Sequence, residues 1–262
     1  MSRVLVTGAA SGLGEALTRA LRERGDEVIA TDARGDGGFE TGASAPFSTT
    51  VKLDITSDDG WASARAWVEE RWGGLDVLVN NAGVAGGGRI DVAGIDEWQR
   101  LIEINLLGVV RGCRTFAPVF KRQRSGRIVN VASLAGLVHP AGMGAYNAVK
   151  AAVVALTETL GHELAAYGVT AHAVCPSYFR TNLMASLMGA DEVVGAVVTE
   201  LVETSPFTAD DIAAAVLAGL DAGDEIILPD PAAKAAWQLK QTDRAAYDAQ
   251  MRRQGERLDR LT

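Results

Sequence analysis

Seven short apolar runs rich in Val and Ile recur through the first 230 residues, and helical stretches separate most of them. The runs are Val4–Val6, Glu27–Ala30, Val51–Leu53, Val77–Val79, Ile128–Val131, Thr170–Val174 and Glu225–Leu228. Several are apolar at every position, as strands covered on both faces must be. Helical spacing runs through Gly14–Arg24, Trp61–Trp72, Trp98–Arg122, Tyr146–Tyr167 and Ala209–Ala222. This alternation specifies an α/β fold: a doubly wound, mostly parallel, seven-stranded Rossmann sheet with helices on both faces. No Pro/Ser-rich linker or composition break divides the 262 residues, so residues 1–262 read as a single domain.

Two segments interrupt the rhythm. Arg34 to Ser48 is rich in Gly, Ala and Ser and reads as a loop. Asn182 to Pro206 (182–206) carries Leu, Met and Val at roughly helical spacing, with Met184 and Met188 on one face. It is expected to be a mobile helical lid closing over an apolar substrate. Thr208 and Asp211 resemble a capping box at the start of the next helix. Residues 229–262 form a polar, helical C-terminal extension whose apolar points are Trp237, Leu239, Tyr247, Met251 and Leu258.

Composition narrows the function. The formal net charge of −8 leaves no broad positive field for nucleic acid or anionic lipid. Cys113 and Cys175 are too few for a disulfide framework or a zinc cluster, and they read as core thiols. His139, His162 and His172 lack acidic or cysteine partners at metal spacing, so no metal is expected. His139 falls in the loop after Ser133, where a substrate contact is open to it. No apolar run spans a bilayer, and a strand begins at Arg3 with no signal peptide before it, so a cytoplasmic protein is expected.

The segment Thr7-Gly8-Ala9-Ala10-Ser11-Gly12-Leu13-Gly14 joins the first strand to the first helix. Glycines there let the chain turn tightly and bring a helix N-terminus up to a phosphate. The spacing is G-x-x-x-G-x-G, and alone it is equally a glycine-rich turn without a ligand. Asp32 ends the second strand eighteen residues after Gly14. A carboxylate there accepts both ribose hydroxyls of an adenosine and repels a 2′-phosphate, which points to NAD rather than NADP; Arg34 nearby partly offsets it. Asp54, ending the third strand, can accept from an adenine amino group. Asn80-Asn81-Ala82-Gly83 ends the fourth, where small residues let a cofactor lie across the carboxyl edge of the sheet.

Tyr146 and Lys150 stand at i and i+4 of one helix and share a face. Ser133 ends the fifth strand, thirteen residues upstream. A free tyrosine titrates near 10, too high for a base at neutral pH. A neighbouring ammonium and a cationic nicotinamide would both lower that value, and Ser133 can bond the same substrate oxygen. On its own a Y-x-x-x-K pair is usually a solvated helix face; its place in this chain favours catalysis.

With those motifs in order, residues 3 to about 228 resemble the short-chain dehydrogenase/reductase superfamily, in its compact single-domain branch. The carriers are Thr7-Gly8-x-x-x-Gly12-x-Gly14, Asn80-Asn81-Ala82-Gly83, Asn105, Ser133, Tyr146-x-x-x-Lys150 and Pro176 to Thr181. The resemblance implies Tyr146 as general acid/base, Lys150 lowering its pKa and binding nicotinamide ribose, and Ser133 polarising the substrate oxygen. Asn105 would hold a relay water through its backbone; without the resemblance it reads as a polar residue kinking a long helix. Cofactor contacts are implied for Gly8, Ser11, Gly12, Leu13, Gly14, Asp32, Asp54, Ile55, Asn81, Ala82, Gly83, Tyr146, Lys150, Pro176, Phe179 and Thr181. The family usually has Pro-Gly where this chain has Pro176-Ser177, so the added side chain is expected to alter the pocket beside the nicotinamide. A homodimer or homotetramer built on the helices of Tyr146 and Asn105 is also implied; the apolar run Ala151–Leu156 agrees. The expected activity is an NAD-dependent alcohol dehydrogenase or carbonyl reductase on a small apolar or secondary alcohol/ketone pair. The alternatives are a non-catalytic dinucleotide-binding sensor or scaffold, and an isomerase or dehydratase using the same phenol.

Overall fold

Along each strand, side chains alternate between two separate cores, as a sheet covered on both faces requires. Leu5, Ile29, Leu78 and Ile128 enter one core, and Val4, Val6, Val28, Val79 and Val129 the other. The structure, a computed structural model, describes residues 1–39, 50–187 and 189–261, with the side chains of all of these except 184 and 185. Its strands are β1 (Arg3–Thr7), β2 (Glu27–Asp32), β3 (Val51–Lys52), β4 (Val77–Asn80), β5 (Gly126–Val131), β6 (Val169–Val174) and β7 (Ile226–Ile227). They make one sheet in the order β3-β2-β1-β4-β5-β6-β7. Every pairing is parallel, so the sheet is parallel throughout rather than mostly so.

The helices are α1 (Gly12–Glu23), α2 (Asp58–Trp72), α3 (Ile95–Ile102), α4 (Gly108–Gln123), α5 (Ala135–Val138), α6 (Gly144–Leu164), α7 (Glu192–Glu203), α8 (Ala209–Ala222), α9 (Pro231–Thr242) and α10 (Arg244–Arg260). Leu13, Leu17 and Leu21 of α1 meet Ile212, Val216 and Leu220 of α8 on one face of the sheet. Trp61 of α2, Phe116 of α4 and Val153 of α6 cover the other. Trp61 and Phe116 are at most 1% exposed, and burial of such a side chain contributes about 2–3 kcal/mol. The order in which successive strands are added switches side between β1 and β4, so the glycine turn after β1 and the Asn-rich end of β4 lie side by side at that seam.

The stretch expected as one helix over Trp98–Arg122 is broken. α3 passes through a π-helical turn, Glu103–Leu107, into α4. Asn105 lies in that turn and is 1% exposed. Its Oδ1 accepts from the Val84 N–H at 2.8 Å and its Nδ2 donates to the Val84 carbonyl at 2.9 Å, so both ends of a buried amide are satisfied. The box at α8 is present, with Asp211 N–H donating to Thr208 Oγ1 at 3.2 Å and Thr208 N–H to Asp211 Oδ2 at 2.8 Å.

Of the two interrupting segments, residues 40–48 of the expected loop, Met188 and the side chain of Met184 lie outside the described residues. The remainder of 182–206 is a short 3₁₀ turn, Asn182–Ser186, followed by α7. Asp191 caps α7, and its side chain is fully buried against Arg89, with Nε to Oδ2 at 2.7 Å. The hydrogen bond from Arg89 holds the Asp191 carboxyl well below its ordinary 3.8, at about 2. A depressed carboxyl stabilises the fold above its unfolded pKa and loses that contribution as pH falls toward the folded value. The expected loss is about 2 kcal/mol between about pH 5 and pH 2. Urea midpoints measured from pH 6 down to pH 3 should fall for the wild type, and the slope should be visibly shallower for Asp191→Asn.

Candidate active site

At the seam, missing side chains let three backbone segments touch. Gly8 and Gly12 hold φ of +65° and +58°, a left-handed region that glycine enters freely. A Cβ on Gly14 would lie 2.2 Å from the Gly8 carbonyl oxygen, and one on Gly8 would lie 2.7 Å from Ala82 Cα. Thr7 and Asn81 fasten the same point. Thr7 Oγ1 accepts from the N–H groups of Asn81 and Ala82, each at 3.0 Å. Asn81 Nδ2 donates to the carbonyls of Thr7 at 2.9 Å and Gly8 at 3.2 Å. Asn81 therefore spends its side chain on the turn and offers its backbone to a ligand. The first N–H groups of α1 have no acceptor within a helix, and Ser11 at the N-cap provides no side-chain cap. That cradle suits a pyrophosphate.

A cavity of about 820 Å³ opens along the carboxyl edge of the sheet from this cradle. Gly8, Ser11, Gly12, Leu13, Asp32, Asp54, Ile55, Asn81, Ala82 and Gly83 line one part, and Ser133, Tyr146, Lys150, Pro176, Phe179 and Thr181 line the rest. Two of the expected site residues do not reach it. Gly14 packs against the Gly8 carbonyl, and Asn105 is buried behind Val84.

Asp32 is 8% exposed at the end of β2. Its Oδ1 accepts from Arg34 N–H at 2.9 Å and Arg34 Nε at 3.1 Å, and its Oδ2 accepts from Ala10 N–H at 3.3 Å. Burial raises its carboxyl, but the bonds from Arg34 outweigh burial and hold it below the usual range. The charge of Asp32 is thus shared with a solvent-facing cation (the Arg34 side chain is 71% exposed). Asp54 gives Oδ1 to the N–H and hydroxyl of Thr56, at 2.9 and 2.7 Å.

Tyr146 and Lys150 lie one turn apart on α6, with Lys150 Nζ 5.7 Å from the Tyr146 ring centroid. Lys150 is 6% exposed and donates to the Val131 carbonyl at 2.9 Å. Burial pushes the Tyr146 phenol up to about 12, against the lowering effect of a hydrogen bond with Ser133. Burial also brings Lys150 down to about 8. In the protein alone, desolvation exceeds the help that the neighbouring side chains give; the expected lowering also counted the positive charge of a nicotinamide.

His139 is exposed, and its ring meets the Gly136 carbonyl at 3.2 Å and Lys240 Nζ at 2.9 Å, outside the cavity lining. Cys113 and Cys175 are buried and their thiols are pushed up to about 12. Among the described residues there is no group of three or more metal-ligating side chains, and no helix is long and apolar enough to cross a membrane.

Ser177 forms a link that its spacing did not announce. Its N–H and Oγ donate to Asp230 Oδ2 and Oδ1 at 2.9 and 2.6 Å. Asp230 is 1% exposed and also caps α9 through the Ala233 N–H at 2.8 Å. The hydroxyl is thus committed to anchoring the C-terminal extension. Tyr178, Met143, Met251 and Gln254 also line the cavity and were missed, because nothing in their local pattern separates them from core or surface residues.

Comparison with known proteins agrees with this architecture. A family model described as short chain dehydrogenase matches residues 2–191. The chain is 36% identical over 193 residues to the trans-4-hydroxycyclohexanecarboxylate dehydrogenase of Sinomonas cyclohexanicum, covering 70% of this chain and 74% of the relative. A short chain dehydrogenase/reductase from Burkholderia phymatum in complex with NAD superposes with a TM-score of 0.81 at 29% identity, over 92% of this chain and 93% of that one. A short chain dehydrogenase from Burkholderia cenocepacia in complex with NADP gives 0.79 at 26% identity, over 95% and 97%.

Proposed function

The chain belongs to the short-chain dehydrogenase family, and from that premise we propose that it is an NAD(H)-dependent oxidoreductase interconverting a secondary alcohol and a ketone. The observation that carries this reading is the convergence of Tyr146, Ser133 and Lys150 on the cavity that also holds the glycine cradle and Asp32. The Sinomonas relative, a dehydrogenase of a hydroxylated compound, supports an alcohol as substrate. A nicotinamide dinucleotide, when bound, supplies the hydride donor or acceptor and, when oxidised, a positive charge beside the phenol. The turn from Gly8 to Gly14 would hold its pyrophosphate, Asp32 its adenosine ribose, and Asp54 and Ile55 its adenine. Pro176, Phe179 and Thr181 would flank the nicotinamide, with Lys150 on its ribose.

The part played by this chain is the proton. Tyr146 Oη takes the alcohol proton in oxidation and returns it to the carbonyl oxygen in reduction, with the Ser133 hydroxyl holding that oxygen. Lys150, buried and bonded to Val131, places an ammonium beside the phenolate as it forms. Asn105, clamped to Val84, sets the backbone of its π turn for a relay water. NADH formation with a panel of alcohols separates this activity from a non-catalytic sensor and from an isomerase or dehydratase.

Oxidation needs phenolate and reduction needs phenol. kcat/KM for alcohol oxidation should therefore rise with pH and that for ketone reduction should fall. The limb should lie below the value of about 12 that burial imposes on the protein alone. Tyr146→Phe should lower kcat by about 10²–10⁴ while NADH still binds, as read by its fluorescence. Near-normal turnover in this variant would end the mechanism.

For the cofactor, Asp32 favours NAD, since a 2′-phosphate would meet a buried carboxylate and forfeit its hydrogen bonds. A preference of about tenfold or more in kcat/KM is expected. Arg34→Ala should widen it, because the guanidinium now bonded to Asp32 is also the nearest partner for a phosphate. Asp32→Ala should narrow it. Equal use of NADP by the wild type would overturn the assignment.

Leu183, Ser186, Val198, Leu201 and Val202 of the 182–206 segment line the cavity, which supports a lid closing over an apolar substrate. Hydrogen exchange over residues 192–203 should slow when NADH and a substrate analogue bind; exchange unchanged by ligand would leave a fixed packing element. The proposal includes a cytoplasmic homodimer or homotetramer, supported by Ile102 and Leu107, each 36% exposed beside the Asn105 turn, and testable by light scattering.

A further inference from the structure

The C-terminal extension is fastened to the catalytic loops at both of its helices. Asp230 takes two hydrogen bonds from Ser177 at the start of α9. Near the end of α9, Lys240 Nζ donates to the Leu137 carbonyl, in the loop that follows Ser133. α10 then runs back across the cavity mouth. Leu258 is 4% exposed and packs in one cluster with Met143 and Val194, with Tyr146 and Tyr178 at its edge. A Cβ on Gly142 would lie 2.7 Å from Leu258 Cδ1, so the loop entering α6 has been left bare where α10 crosses it.

Tyr247, Met251, Gln254 and Leu258 recur at spacings of four, three and four, which puts them on one stripe of α10. Tyr247 and Leu258 are buried in the protein, whereas Met251 and Gln254 line the cavity shared with Tyr146. Gln254 is the one amide in that inward stripe. It is half-buried, and it has no hydrogen-bond partner among the described residues. Because Gln254 lines the cavity and no protein group occupies its amide, a substrate oxygen seated there can accept from that amide in place of water. Met143, Val198, Leu201 and Met251 line the same cavity and supply apolar wall.

We propose that α10 forms the distal wall of the substrate pocket and that Gln254 is a specificity-determining residue donating to a second oxygen of the substrate. The substrate class is a secondary alcohol or ketone with an apolar body and a carbonyl-type acceptor remote from the reacting carbon. This rests on the reading of Tyr146 as the acid/base that handles the first oxygen. Ser177 stands at the family's usual Gly position because its hydroxyl secures Asp230, and with it the wall.

The test compares 2-alkanones with methyl esters of 4-, 5- and 6-oxo acids of matched chain length, in the wild type and in Gln254→Leu. At least one ester should exceed its alkanone in kcat/KM by about tenfold, mainly through KM, and Gln254→Leu should bring that ratio close to one. Gln254→Asn, which keeps the amide on a shorter stem, should restore the preference for an ester of longer reach. An ester preference that survives Gln254→Leu, or no preference in the wild type, overturns the proposal. The same pairs are compared by thermal shift in the presence of NADH. If no ketone is turned over, the oxidoreductase reading fails by itself. A larger shift with the ester, lost in Gln254→Leu, would still sustain the role of Gln254, and equal shifts would end it.

Discussion

The close approach of the β1 and β4 ends is the contact on which the rest of the site depends. A Cβ at Gly14 would come within 2.2 Å of a backbone oxygen that has no flexible end to yield. With Gly8, Gly12 and Gly14 bare, α1 starts directly under the turn, and Thr7 and Asn81 lock the two strand ends together through four hydrogen bonds. The position of the cavity floor follows from that seam. So does the angle at which the α1 N-terminus faces it, since a helix start cannot be moved without moving the sheet edge it is bonded to.

Burial sets a second constraint, and it works against the chemistry. Tyr146 and Lys150 occupy the wall of a cavity between packed helices, where desolvation raises the phenol and lowers the ammonium. At neutral pH the phenol stays protonated, while Lys150, lowered to about 8, still carries its proton. The low dielectric that raises the phenol would also strengthen its response to any charge entering the cavity. The hydrogen bond from Ser133 and the anchor of Lys150 on Val131 fix the geometry in which this response occurs.

The third constraint is the closing of the carboxyl edge. The 182–206 segment and the C-terminal extension approach it from different directions and share the cluster of Met143, Val194, Val198 and Leu258. Each is tied by a fully or nearly fully buried aspartate: Asp191 to Arg89 for the first, Asp230 to Ser177 for the second. Both links are strongly directional, so they fix where an amphipathic helix sits on an otherwise adaptable apolar surface.

The strand count, the alternation with helices, the glycine turn, Asp32, Ser133 and the Tyr146–Lys150 pair were all legible in the sequence. Each is a local pattern: strand and helix periods, a turn chemistry, an i,i+4 spacing. Asn105 was legible as a residue, but its placement was not, because the π turn that holds it is set by the distant Val84 backbone. The desolvation that raises the Tyr146 phenol in the protein alone was not legible, since spacing reports neighbours and not burial. The Ser177–Asp230 anchor and the inward stripe of α10 depend on contacts between segments, 53 residues apart for Ser177 and Asp230, whereas the Asp32–Arg34 bond spans two residues and Arg34 was already read as offsetting Asp32. Local pattern by itself determined the elements and singled out the candidate reacting groups. Only the tertiary structure decided which polar side chains were consumed by packing and which, like Gln254, were left facing the cavity, because satisfaction of a polar group depends on what the fold brings within hydrogen-bond reach.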